Sequence, residues 1–292
     1  MALEPIIFNG REFAKNKEVA LKIKVWDLAW HGIKPKLVSI LVGDDPSSKL
    51  YTQLKEKKAR QLGCEMEIYE IGLRRDIGYI VNLIRFVNSK EDVHGIMVQL
   101  PLPKRLAGFT SEVVKAIDPK KDVDGLRPDS LYLHPTSKAV VEIIEEARKV
   151  TWKKPIIRIR ARKIDDVVCV IGASGMVGRP LVKKLKELGY PVLEADKNTK
   201  NLKEISQKAK ILVSATGVPG LIKKNFGMKR QIIVIDVGSP KGDVDFDKII
   251  KKSKFITPVP GGVGPVTITC LIENLLEAAY NMLNTQSYQN SS

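Results

Sequence analysis

Val167-Val-Cys-Val-Ile-Gly-Ala-Ser-Gly-Met-Val-Gly178-Arg-Pro180 decides how this chain folds. Five apolar residues, mostly β-branched, read as a short buried strand. Small residues and glycines then make a turn, and a helix is expected over about residues 176–188. A strand ending in a glycine turn and opening a helix is the dinucleotide-binding arrangement: glycines admit the backbone to a pyrophosphate, and the helix N-terminus faces its charge. The spacing departs from G-x-G-x-x-G, because Ser174 holds the second glycine position and the third glycine, Gly178, falls one residue late. A tight packing turn is the competing reading of this stretch alone.

Downstream, strand-like runs recur at Pro191–Leu193, Ile211–Val213, Ile232–Asp236 and Phe255–Ile256. After the first of these sit Glu194, Asp196, Lys197 and Lys200; an acid there favours a ribose hydroxyl, as in NAD, and a lysine favours the 2′-phosphate of NADP. Ser214-Ala-Thr216-Gly217 and Asp236-Val-Gly238 end two further strands in small residues, which leave room for a flat ring. Upstream, the alternation is the same: helix 11–31, strand 36–43, helix 46–62, strand 64–71, helix 76–88, strand 93–99 and helix 138–149. Such alternation argues for α/β layers with parallel sheets. The break falls near Trp152-Lys-Lys-Pro155, where the basic run Ile157–Arg162 suggests a surface strand. One domain is therefore expected over 1–150 and a Rossmann-type domain over 151–266. A C-terminal amphipathic helix over 267–284 and a disordered tail over 285–292 follow.

With 292 residues, the chain has material for two ordinary domains, and no apolar run reaches the length of a membrane span. Cys64, Cys169 and Cys270 are odd in number and far apart, so buried thiols in a reducing, cytoplasmic compartment are expected. No metal site is expected, since the three histidines are isolated and no Cys/His spacing fits one. The formal charge of +16 raises a nucleic-acid reading. The lysines and arginines are spread over helices and turns without aromatic interleaving, so a bland basic surface, or attraction of polyanionic small molecules, is favoured.

In the first half, Ser48, Tyr51 and Lys55 fall on one helical face. A partly buried lysine beside an aromatic is a candidate acid/base group, because burial lowers an ammonium from its free value of about 10.4; a snorkelling surface lysine is the alternative. Val98-Gln99-Leu-Pro-Leu-Pro103 ends a strand in a proline-stiffened turn, and Asp118-Pro-Lys-Lys-Asp122-Val-Asp124-Gly125 is an acid-rich turn. Finally Pro258-Val-Pro-Gly261-Gly262-Val-Gly-Pro265 is a shaped loop before the last helix, in which proline fixes φ and glycine permits φ > 0.

These motifs occur together, and in this order the chain resembles the bifunctional methylenetetrahydrofolate dehydrogenase/methenyltetrahydrofolate cyclohydrolases over all but its tail. The resemblance implies a folate-binding catalytic domain beside an NAD(P)-binding domain, with a cleft between them. It implies oxidation of 5,10-methylenetetrahydrofolate with NADP (NAD is possible) and hydrolysis of the methenyl product to 10-formyltetrahydrofolate. Lys55 would be the acid/base group, tuned by Gln99, with Tyr51 stacked on the folate ring and Asp124 accepting from the pterin amino edge. Ser48, Asp122, Gly261, Gly262 and Pro265 would complete the folate wall. Gly172, Ala173, Ser174, Gly178, Lys197, Thr216 and Gly217 would hold the cofactor. A homodimer is implied as well, with no membrane partner and nucleic acid disfavoured.

Departures from the family pattern are local. Arg127–Lys138 is shorter, with Ser137 in place of a proline; Asp196-Lys197 replaces a His-Ser or His-Arg pair; Ser239–Gly242 is trimmed. The shortened 127–138 loop leaves open a dehydrogenase with weakened cyclohydrolase activity. A non-catalytic folate- or nucleic-acid-binding protein is the remaining alternative.

Overall fold

The structure is a computed structural model describing residues 4–152, 164–223 and 226–289; the expected surface strand at 157–162 lies outside them. In chain order the elements are β1 (Ile6–Ile7), α1 (Gly10–Trp30), β2 (Lys36–Val42), α2 (Pro46–Gln61), β3 (Glu65–Ile71), α3 (Ile77–Asn88) and β4 (Gly95–Val98). A 3₁₀ turn at Lys104–Phe109 leads to α4 (Thr110–Ala116) and α5 (Pro135–Trp152). Then come β5 (Val168–Ile171), α6 (Gly178–Glu187), β6 (Val192–Ala195), α7 (Leu202–Lys208), β7 (Ile211–Ser214), β8 (Ile232–Asp236), α8 (Phe246–Ile249), β9 (Ser253–Ile256) and α9 (Val263–Gln289). The chain divides into two compact units. One takes in Thr136–Thr267 with the first residues as far as Ala14; the other takes in Lys15–Pro135 and the C-terminal stretch from Ile268 onward.

The Lys15–Pro135 unit is built on a parallel sheet in the order β3-β2-β4. The bridge between Ile96 and Asp122 extends its β4 edge, with the Ile96 N–H donating to the Lys121 carbonyl at 2.7 Å. All but the first residue of β2 is buried, the pattern of a strand covered on both faces. On one face Leu21, Val25 and Leu28 of α1, Ala59 of α2 and Leu271, Leu275, Leu276 and Ala279 of α9 form one core. On the other, Ile80, Ile84 and Val87 of α3 join Val113 of α4. Gly95 permits the first packing: a Cβ there would meet Val123 at 2.8 Å and Leu275 at 2.9 Å. The last helix thus packs into the N-terminal catalytic core, as expected.

The other unit carries a parallel six-stranded sheet in the order β1-β9-β8-β7-β5-β6. Starting from β5, the chain first adds β6 on one side and then β7, β8 and β9 on the other. The order reverses between β5 and β7, the switch point at which open α/β sheets bind ligands beyond the strand C-termini. Cys169, Ile171, Leu212, Ile232, Val234 and Ile256 fill its core. Phe8, after β1, packs against Phe255 with ring centroids 5.5 Å apart.

Several boundaries differ from the sequence reading. The division falls at 135/136, so α5 starts the second unit, whereas a break at 150 was expected; α5 is one uninterrupted amphipathic helix, so no linker precedes Trp152. The last helix starts at Val263 because Pro265 sits in its first turn, where a missing N–H costs nothing. It continues to Gln289, past the expected tail boundary at 285. The cysteines are buried and none is in a disulfide, with burial pushing the Cys64 thiol up to about 12 and Cys169 to about 11.

Candidate active site

In the Lys15–Pro135 unit, the segments that end the strands converge on one lysine. Helix α2 starts at Pro46 behind Asp45, whose carboxylate accepts the Ser48 N–H at 2.8 Å, a regular N-cap. Ser48 and Thr52 are buried on the inner face, Thr52 Oγ1 donating to the Ser48 carbonyl at 2.9 Å. One turn on, the Lys55 Nζ donates to Gln99 Oε1 at 3.1 Å and lies 3.9 Å from the Met97 sulfur. Gln99 is itself held: its backbone N–H donates to the Ile40 carbonyl at 2.9 Å and its side-chain amide to the Leu100 carbonyl at 3.1 Å. Lys55 is half-buried along its length, but its ammonium is desolvated, which pushes its pKa down from the ordinary 10.5; the Asp124 charge opposes this. Tyr51, on the same face, is half-buried, and burial raises its phenol pKa.

Asp122 and Asp124 have separate jobs. Asp122 is fully buried and accepts the N–H groups of Leu126 at 3.3 Å and Arg127 at 2.8 Å. Burial pushes its carboxyl up to about 6, against those two donors. Its oxygens shape the turn that carries Asp124 toward the field of Lys55. Gly125 at φ +63° closes that turn, since a Cβ would lie 2.6 Å from the His134 nitrogen. Asn274 of α9 ties the two sides together, donating to the Val123 and Leu133 carbonyls at 2.9 Å each.

His134 is the residue the sequence reading passed over as isolated. It is buried; desolvation lowers its pKa first of all, Asp124 acts to raise it and Lys55 to lower it. Only the fold puts it in one electrostatic cluster with those two groups, and no spacing signal marks it. Lys121, in the same turn, has a structural task instead: its Nζ donates to the Asn88 and Lys90 carbonyls at 2.8 and 2.6 Å.

In the other unit the predicted cofactor residues gather at the switch point. Gly172 has φ +86°, and a Cβ on it would stand 2.4 Å from the Ala215 carbonyl, so the turn after β5 touches the turn after β7. A Cβ on Gly178 would stand 2.0 Å from the Gly172 carbonyl. The late third glycine therefore does the packing task of the usual third glycine: α6 starts hard against the turn. Ala173 is buried, and Ser174 is exposed with its N–H shared by both Asp196 oxygens at 3.2 Å. Lys197 is exposed at the next position. Thr216 gives its N–H and its hydroxyl to Asp243 Oδ2, both at 2.8 Å, and Gly217 follows at φ +66°.

Asp243 is a second residue not anticipated. It is fully buried, also accepts the Ser214 hydroxyl at 2.9 Å, and its Oδ1 has no hydrogen-bond partner. Its own N–H goes to Asp236, which also takes the Gly238 and Val244 amides; burial raises the Asp236 pKa and these donors oppose it. The two acids hold the loops after β7 and β8. Turns too tight for a side chain and this braced loop pair fit a dinucleotide at the end of the sheet.

Gly261, Gly262 and Pro265 stand in this unit, on the loop before α9 and in its first turn. The Gly261 carbonyl accepts the Gly10 N–H at 3.0 Å, and Gly262 donates to Pro258 at 2.9 Å. A Cβ on Gly10 would lie 1.9 Å from the Gly262 carbonyl, so the starts of α1 and α9 close on each other.

Comparison with known proteins agrees with this geometry. Residues 8–124 match the family model described as tetrahydrofolate dehydrogenase/cyclohydrolase, catalytic domain, and residues 135–283 the NAD(P)-binding domain of the same family. The bifunctional protein FolD of Hydrogenobaculum sp. is 38% identical over 283 residues, covering 93% of this chain and 98% of the relative. Among solved structures, the bifunctional enzyme FolD, methylenetetrahydrofolate dehydrogenase/cyclohydrolase, of Campylobacter jejuni is 33% identical with a TM-score of 0.83, over 94% of this chain and 98% of that one. The Trypanosoma brucei methylenetetrahydrofolate dehydrogenase-cyclohydrolase, solved with NADP and an inhibitor, is 29% identical with a TM-score of 0.83, over 96% and 99%. With a lysine centre in one unit, a dinucleotide turn in the other and both family domains matched in order, this chain belongs to the tetrahydrofolate dehydrogenase/cyclohydrolase family.

Proposed function

We propose that this chain oxidises 5,10-methylenetetrahydrofolate to the methenyl form with NADP and hydrolyses that product to 10-formyltetrahydrofolate. The observation that carries the reading is the Lys55–Gln99 hydrogen bond at 3.1 Å, made by a desolvated ammonium in the field of Asp124. Folate binding alone has no need of a tuned lysine.

NADP, when bound, supplies the hydride acceptor. Gly172, Ala173, Ser174 and Gly178 would cradle its pyrophosphate with backbone amides at the start of α6, and Thr216 and Gly217 would flank the nicotinamide side. Asp196 is tethered to the Ser174 amide, which leaves Lys197 as the cation for a 2′-phosphate. On the folate side, Tyr51 offers a ring to stack on, Asp124 a carboxylate for the pterin amino edge, and Ser48 and Asp122 a supporting frame. In the hydrolytic step a water oxygen bonds to the methenyl carbon, the carbon–nitrogen bond to N5 breaks, N5 takes a proton and one proton is released overall. Lys55 Nζ would move that proton: its lowered pKa eases release, and Gln99 Oε1 holds the ammonium on line between transfers. The basic surface suits an anionic folate tail.

The homodimeric state and a cytoplasmic location belong to the same proposal. Three buried thiols, none of them in a disulfide, support a reducing compartment, and among the described residues no helix is long and apolar enough to cross a membrane. Purified protein given methylenetetrahydrofolate and NADP should form reduced nicotinamide and then lose the methenyl chromophore. Absence of turnover with both NADP and NAD would sink the reading.

A further inference from the structure

Two acids lie near the end of β6, and their circumstances differ. Glu194 is exposed and paired, with Lys186 Nζ donating to its Oε1 at 2.5 Å. Asp196 is half-buried, and among the described residues no cation lies within ion-pair distance of it. Its carboxylate instead accepts the Ser174 N–H, split between both oxygens at 3.2 Å, the long end of a hydrogen bond and easily exchanged. The backbone beneath it is fixed. The Asp196 N–H donates to Thr199 Oγ1 at 2.8 Å, and its carbonyl accepts the Thr199 N–H at 2.9 Å. The preceding carbonyl, that of Ala195, takes the Gly172 N–H at 2.7 Å, so carboxylate and glycine turn share one frame.

We propose that Asp196 sets the cofactor preference of this chain: it takes the ribose 2′-hydroxyl of NAD, which makes NAD a working cofactor beside NADP, and it holds the affinity for NADP below what the surrounding cations would give. This rests on the dehydrogenase reading and adds which nicotinamide cofactors that reaction can use. An acid at the end of the strand after the glycine turn is placed for a ribose hydroxyl. The hydroxyl can donate where the Ser174 N–H now does, and a hydrogen bond to a carboxylate is about twice as strong as a neutral one. The released Ser174 N–H is then available to the pyrophosphate. The 2′-phosphate of NADP brings negative charge to the same point, and like charges set side by side cost affinity. Lys197, exposed at the next position, and Arg179, whose guanidinium donates to the Ser174 carbonyl at 3.3 Å, offset that cost without removing it.

A brace for the turn is the competing role for this side chain. The turn is already closed by its own backbone: the Gly175 N–H donates to the Gly172 carbonyl at 3.1 Å and the Arg179 N–H to the Gly175 carbonyl at 3.0 Å. Asp196-Lys197 is also one of the places where this chain departs from its family pattern, so the preference belongs to this chain and not to the family at large.

Binding of adenosine fragments to the full chain isolates the effect. Adenosine 5′-monophosphate and adenosine 2′,5′-bisphosphate differ only in the 2′ group, and neither can turn over. By calorimetry, Asp196→Asn should tighten the bisphosphate about tenfold and weaken the monophosphate severalfold. Asp196→Glu, which keeps the charge, should stay near the wild type on both. In turnover the wild-type chain should reduce NAD as well as NADP, and Asp196→Asn should raise the ratio of kcat/KM for NADP over NAD by at least about tenfold. An equal change for both fragments in Asp196→Asn would make the residue a brace, and a wild-type chain that reduces NADP but never NAD would remove it as a hydroxyl acceptor; either result overturns the proposal. The enzymatic reading fails separately, on absence of turnover with both cofactors, whereas the fragment binding stands or falls without any turnover.

Discussion

The two units solve different recognition problems with different parts of the chain. Around Lys55 the work falls to side chains: an ammonium, an amide, a carboxylate and an imidazole, brought together from α2, the end of β4, the Asp122–Gly125 turn and the segment before α5. At the end of β5 it falls to the backbone, and the side chains that matter are those that are missing. Chemistry needs groups whose protonation can be tuned by surroundings. Holding a phosphate needs amides that are already in place.

Substitutions test that division, and the largest effect belongs to the side-chain centre. Lys55→Met should lower methenyl hydrolysis by roughly 10²–10⁴-fold while folate still binds. The same change should raise stability at neutral pH by about 1–2 kcal/mol, because a desolvated ammonium is replaced by an apolar chain. The sign follows from the lowered pKa of the folded lysine: the unfolded chain keeps a proton that the native site disfavours, so the gain is full below the folded pKa and is lost as pH rises from there past 10.5. Hydrolysis at the wild-type rate in Lys55→Met would remove this lysine from the mechanism.

Gly178→Ala examines the backbone centre. An added Cβ would need the space of the Gly172 carbonyl 2.0 Å away, so the turn has to open. The KM for NADP should rise by at least about tenfold, with a loss of about 2–4 kcal/mol in stability. Hydrolysis of supplied methenyl substrate, which consumes no cofactor, should persist below the melting temperature. Equal loss of both reactions would break the separation between the two centres.

The smallest effect is expected where a side chain assists the backbone site. Lys197→Ala should raise the KM for NADP severalfold to about tenfold and leave that for NAD unchanged. An equal change for both cofactors would contradict a 2′-phosphate contact.

What the sequence made legible divides along the same line. The strand–turn–helix at Val167–Gly178 announces a dinucleotide fold because its rules are local: β-branched strand, small turn, helix start. Lys55 and Gln99 stand forty-four positions apart, and nothing local says that one reaches the other at 3.1 Å; they were legible only as parts of a set of motifs in order. His134 and Asp243 belong to no motif and were invisible. Their surroundings come from long-range packing, His134 over the Gly125 turn and Asp243 beneath the Ser214–Thr216 turn. The short helices α4, α7 and α8 lacked enough periodicity to stand out. Pro265 reads as the end of the loop before the last helix in sequence, yet it sits in the opening turn of α9, where proline is tolerated.

The path of the chain bears on how the protein is made. The first fourteen residues complete the sheet of the later unit, β1 pairing with β9 at Ile6–Phe255 and Ile7–Ile256. The last stretch, from Ile268, completes the core of the earlier one. Each unit is therefore interrupted in sequence: the later one closes on a segment translated at the start, and the earlier one waits for a segment translated after the whole of the other. Synthesis reaches the middle of the chain with the lysine centre already translated but its α9 buttress, including Asn274, still to come. Long-range closure of this kind is slow and leaves apolar surface open in the meantime. The final helix is thus the step that makes the nascent chain an enzyme, and a polypeptide released before α9 would contain the Lys55 and Gln99 motifs without the core that holds them in place.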